Sequence, residues 1–78
     1  MDAIEVEARF DQQGKITPLR FTWRGQTYPV ESTGRQWQEQ DEAHILVIVA
    51  GDRVVELVFN AGQVRWYLKA IGGRRSLA

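Results

Sequence analysis

Pro18-Leu19-Arg20-Phe21-Thr22-Trp23-Arg24-Gly25-Gln26-Thr27-Tyr28-Pro29-Val30-Glu31 is the stretch on which the fold turns. Leu19, Phe21 and Trp23 alternate with Arg20, Thr22 and Arg24, the period of a strand with one buried face. Gly25 supplies the positive φ of a tight hairpin. A turn over Arg24 to Thr27 sets Trp23 opposite Tyr28, Phe21 opposite Val30 and Arg20 opposite Glu31. Pro29 has no N–H for a ladder, which a four-residue turn or a ladder interrupted at Pro29 accommodates.

Working towards the N-terminus, Ile4, Val6, Ala8 and Phe10 alternate with Glu5, Glu7 and Arg9. A turn at Asp11 to Lys15 places Ala8 against Leu19, Val6 against Phe21 and Ile4 against Trp23. Glu7 then meets Arg20, giving a Glu7–Arg20–Glu31 row across three strands.

Working towards the C-terminus, the third strand continues through Ser32 to Trp37. The inward parity changes on the way, and Gly34 is where a β-bulge restores it. Gln38 to Glu42 is polar and aperiodic and reads as an exposed loop. His44 to Ala50 is apolar on both faces. Gly51-Asp52 reads as a two-residue turn, pairing Ile48 with Val55, Leu46 with Leu57 and His44 with Phe59. A further turn at Asn60 to Gln63 pairs Phe59 with Val64, Leu57 with Trp66 and Val55 with Leu68.

Every connection is short and no segment keeps a helical period. The expectation is an all-β domain over residues 1–71, an antiparallel six-strand meander curling toward a small open barrel. Residues 72–78 lack a core pattern and read as a mobile tail. The expected core is Ile4, Val6, Phe10, Leu19, Phe21, Trp23, Tyr28, Val30, Trp37, Leu46, Ile48, Val55, Leu57, Phe59, Val64, Trp66 and Leu68.

The chain has 78 residues, no cysteine and one histidine. That composition excludes disulfides, thiolate chemistry and metal sites built from several Cys or His ligands. Ten basic and ten acidic residues cancel, so no bulk positive field marks a nucleic-acid binder. Eight of the ten basic residues are arginine, which favours planar pairing and stacking. Met1 to Glu5 has neither the basic nor the apolar region of a signal peptide. The His44–Ala50 run is too short to span a bilayer. A cytoplasmic protein without membrane contact is expected.

Neither a nucleophile elbow nor a phosphate-binding glycine loop occurs. His44 falls on the inward side of an apolar strand and reads as a satisfied core or rim histidine. No catalytic residue, cofactor or metal is assigned, and an enzyme is not expected. Two outward surfaces remain. Arg20, Arg24, Arg65, Tyr67 and Lys69 form a candidate single-stranded nucleic-acid surface. Ile45, Val47, Val49, Val54 and Val58 form a candidate interface, with a homodimer as the simplest partner. The interaction module is the leading expectation and nucleic-acid binding the alternative.

The pattern Pro18-x-x-Phe21-x-Trp23-x-Gly25-x-x-Tyr28-x-Val30 resembles a small bacterial family, a domain of unknown function. Arg9-Phe10-Asp11, Gly14 and Trp37 carry the same resemblance, as do Val55-Glu56-Leu57 and Trp66-Tyr67-Leu68. Some members of that family lie near DNA-repair polymerase components. The resemblance therefore implies an association with nucleic acid, possible in DNA repair, and supplies no catalytic residues.

Overall fold

The computed structural model describes residues 1–74, and all regular structure in them is β. The strands are β1 (Asp2–Phe10), β2 (Ile16–Trp23), β3 (Gln26–Pro29), β4 (Ser32–Glu39), β5 (Glu42–Val49), β6 (Arg53–Asn60) and β7 (Arg65–Arg74). They form one antiparallel sheet in the order β3-β2-β1-β7-β6-β5-β4. The sheet curls into an open half-barrel. All-β architecture and antiparallel pairing are as expected; the strands number seven rather than six, and β7 returns to pair with β1.

The extra strand arises because the expected third strand changes partner. Val30 N–H donates to Leu19 O at 3.0 Å, on β2, and Glu31 N–H donates to Ile48 O at 2.8 Å, on β5. Glu31 therefore leaves the expected charge row. The Glu7–Arg20 ion pair forms, but Arg20 faces Pro29 on its other side. The barrel stays open between the β1–β2 turn and the middle of β4. There, Gln13 to Lys15 and Gln36 to Gln38 line a hollow of about 430 Å³.

The β2–β3 turn has two residues, Arg24 and Gly25, with φ of 51° and 77°. Phe21 consequently pairs with Tyr28 and Trp23 with Gln26. The longer turn was expected in order to accommodate Pro29, but the short one already does so. Hydrogen-bonded pairs alternate with non-bonded pairs along an antiparallel ladder. Starting from Trp23 and Gln26, Pro29 falls in a non-bonded pair, where a missing N–H leaves no gap.

A bulge between Glu7 and Ala8 on the β1–β2 ladder leaves Leu19 without a partner. Val6 meets Phe21 as expected, but Ala8 meets Pro18 rather than Leu19. Leu19 turns out to 44% exposure, and Ile16 and Pro18 take the buried positions. Phe10 is also exposed, touching Phe59 edge-to-face at 5.4 Å. The β6–β7 turn takes in Val64, which is 75% exposed, so Phe59 pairs with Trp66 and Leu57 with Leu68. The bulge expected at Gly34 is present, with the register shifting between Thr33 and Gln36. Gln38 to Glu42 is not a loop: β4 runs to Glu39 and β5 begins at Glu42, joined by Gln40 and Asp41.

The largest correction concerns β5. Val49 pairs with Arg53, so the β5–β6 turn has three residues, Ala50 to Asp52. Gly51 and Asp52 both adopt left-handed φ there, 82° and 57°. One added turn residue shifts the register by one and exchanges the faces of the strand. Ile45, Val47 and Val49 lie in the core at 1%, 0% and 1% exposure, while Leu46 and Ile48 are half-buried. Val54 is half-buried, and Val58 is fully covered on the outer face, between His44 and Tyr67. The aliphatic interface expected from the sequence is therefore not on the surface.

Around these residues the core gathers Ile16, Phe21, Ala43, Val55, Leu57, Trp66 and Leu68. Phe21 stacks on Tyr28 at 5.1 Å. β7 continues to Arg74, so the tail boundary expected at 71/72 falls inside a strand. Residues 75–78 lie outside the described residues.

Two substitutions check this core by urea denaturation. Phe21→Ala is expected to lose about 3–5 kcal/mol, whereas Phe10→Ala loses about 1 kcal/mol, the scale of an exposed aromatic pair. Val47→Glu buries an unpaired charge and is expected to abolish folding, read as collapse of amide dispersion in a proton NMR spectrum.

Candidate ligand-binding cleft

β1 serves two neighbours in turn. Asp2, Ala3 and Ile4 pair with Leu68, Tyr67 and Trp66 of β7, while Glu5 to Phe10 pair with β2. Where β1 leaves β7, an open cleft of about 550 Å³ forms. Its lining includes Ile4 and Trp66 from the inner face, Glu5 and Thr22 from the outer face, and Arg24 and Arg65.

Each arginine is placed by a turn. Arg24 sits in the β2–β3 turn, its guanidinium 4.5 Å from the Trp23 ring centroid. Trp23 is fixed in turn by its Nε1–H, which donates to Asp2 Oδ2 at 3.0 Å. Arg65 opens β7 opposite Asn60, directly after the β6–β7 turn. Among the described residues neither arginine forms an ion pair. With Glu5 as the one acid in the lining, the cleft carries an excess of positive charge.

The other proposed ligand contacts are differently placed. Arg20 is engaged by Glu7. Lys69 Nζ lies 3.6 Å from Glu56 Oε2. Tyr67 is half-buried on the outer face, and its hydroxyl donates to Gln63 Oε1 at 2.5 Å. The fold thus brings Arg24 and Arg65 together, sets Tyr67 on the same strand as Arg65, and neutralises Arg20 and Lys69.

A second cluster has no counterpart in the sequence reading. His44 is on the outer face, not the inner one, and is only 3% exposed. The Trp37 ring lies nearly parallel to its imidazole, with centroids 5.2 Å apart. Nδ1 is 2.8 Å from Glu56 Oε2, and because a carboxylate only accepts, Nδ1 is the donor. Nε2 has carboxylate oxygens of Glu39 and Glu42 each at 3.4 Å but no hydrogen-bond partner. Trp37 Nε1–H donates to the same Glu39 oxygen at 3.1 Å. The arrangement ties three strands together on the outer face. Among the described residues no three metal-ligating side chains converge as a metal site.

No family model, curated protein or solved structure matches the chain.

The site must therefore be judged on its own chemistry, and the two clusters differ. The cleft offers solvent-facing cations that form no ion pair among the described residues. The His44 imidazole is enclosed and engages the cluster's own carboxylates, which marks it as part of the scaffold. Glu56→Ala should strand a buried donor, His44 Nδ1–H. The expected loss is about 1–3 kcal/mol by chemical denaturation.

Proposed function

We propose that this chain is a small non-catalytic binding module whose ligand is single-stranded nucleic acid, held at the cleft where β1 leaves β7. The observation that carries this reading is that Arg24 and Arg65, which form no ion pair among the described residues, line one open cleft in which Glu5 is the one acid. Arginine suits phosphate because its planar fork donates two parallel hydrogen bonds. Tyr67, two residues beyond Arg65, offers a ring for stacking along the same strand. The family resemblance expected from the sequence, some members of which lie near DNA-repair polymerase components, makes a repair context one to test. Cysteine-free composition accords with a reducing cytoplasm.

The formal charge of zero shapes the expected behaviour. Attraction must come from a local pair of cations, so affinity is modest and strongly salt-dependent. The alternative, an interaction or homodimer module, was motivated by Ile45, Val47, Val49, Val54 and Val58. Four of those five side chains lie below 2% exposure, so that motivation is gone. No cofactor, metal or membrane contact enters the reading.

A labelled oligonucleotide titrated at low and then at higher salt provides the test. Binding at low salt should weaken as salt rises. Arg24→Ala and Arg65→Ala should each reduce the salt slope by about 0.7, one phosphate contact on a single strand. Arg20→Ala, whose charge Glu7 already engages, should change the slope far less. Absence of binding at low salt would remove the proposal.

A further inference from the structure

Val64 adds little to the core and adopts a backbone conformation that its side chain resists. It is 75% exposed, more so than any other large hydrophobic residue described, and its φ is 53°. In that left-handed region Cβ crowds the following carbonyl, and a β-branched residue is the least suited to it. Three other described non-glycine residues share positive φ: Arg24, Gln40 and Asp52. All three have polar side chains, and each lies in a strand-joining turn. Val64 alone is aliphatic, and so exposed a side chain recovers little from burial.

Its position suggests a use. Val64 is outside the lining of the cleft but directly precedes Arg65 and Trp66, both of which line it. The Ala61–Val64 turn thus holds an aliphatic side chain in solvent next in sequence to an arginine that forms no ion pair among the described residues. Backbone strain is retained at ligand-contacting positions more often than elsewhere.

Building on the nucleic-acid reading above, we propose that Val64 is the base-contacting residue of the site. Its methyl groups pack on the face of an unpaired base while Arg24 and Arg65 hold the neighbouring phosphates. Phosphates are common to single and double strands, but an open base face belongs to the single strand. Val64 is accordingly the residue that discriminates between them, and the arginines supply the salt-dependent attraction common to both.

The test compares wild type, Val64→Asn and Val64→Leu against a labelled oligothymidine of about twelve nucleotides and a duplex of equal length. Asparagine tolerates left-handed φ, so Val64→Asn keeps the turn while removing the aliphatic surface. Val64→Asn is expected to lose about three- to tenfold in single-strand affinity, at the low end of what base packing contributes. Its duplex affinity and salt slope should stay unchanged, and its urea midpoint should equal or exceed that of wild type. Val64→Leu keeps an apolar surface and should stay within about twofold of wild type on the single strand. Unchanged single-strand affinity in Val64→Asn, equal losses on both ligands, or a lowered urea midpoint would each overturn the role. If wild type binds oligonucleotide and only the arginine variants lose affinity, the Val64 role falls and the proposed function stands. If wild type binds nothing at low salt, both fall.

Discussion

Two residues, Val30 and Glu31, join the strands that stand at opposite ends of the sheet. Laid flat, seven strands would place β3 and β4 about 29 Å apart, six interstrand spacings. The chain from Pro29 to Ser32 can reach at most about 11 Å. The sheet must therefore curl until its ends meet. The backbone bonds of this link show how it does so, with Val30 paired to β2 and Glu31 to β5. Curvature in turn makes an inside and an outside. Ile45, Val47 and Val49 can all be fully covered in so short a chain because the opposite wall, with Ile16 and Phe21, is folded over them.

The cleft is a product of the same curvature. A strand that stays with both neighbours along its whole length leaves no opening. β1 cannot follow the bend in that way: its first residues remain with β7 and the rest go with β2. The cleft lies at that parting, and the β2–β3 and β6–β7 turns bring Arg24 and Arg65 to it. Both arginines depend on turn geometry for their place, and the position before Arg65 is among those held at positive φ.

Part of the first half of the chain was legible. Alternation in β1 and β2 pointed Ile4, Val6, Phe21 and Trp23 inward and led to the Glu7–Arg20 and Val6–Phe21 pairs, but it did not reveal the bulge that turns Leu19 outward, the exposure of Phe10 or the β2–β3 register. Gly34 marked its bulge correctly. β5 was not legible, for a physical reason. His44 to Val49 is apolar on both sides, so periodicity cannot choose a face, and the decision passed to the length of the Gly51-Asp52 turn. A turn longer by one residue reversed the assignment. The same reversal hid the His44 cluster, since only the true register sets His44 beside Trp37 and within reach of Glu56. For the cleft, Arg24 and Arg65 were expected on one outward surface, but the opening between β1 and β7 that they line was not readable. Arg24 and Arg65 come together only because β1 pairs with β7, a contact between distant parts of the chain that no local pattern announces.

The β1–β7 pairing also imposes an order on folding. Hairpins such as β2–β3 and β5–β6 close locally and can form as soon as their residues are available. Asp2 to Ile4 can find their partners only after Trp66 to Leu68 have been made. On a ribosome, β1 would emerge before β7 and remain half-paired, with one edge open, until β7 had left the exit tunnel. Such late, long-range closure is intrinsically slow and leaves a strand edge exposed to other chains meanwhile. Acidic residues along that waiting strand, Asp2, Glu5 and Glu7, are suited to discouraging intermolecular pairing during the delay.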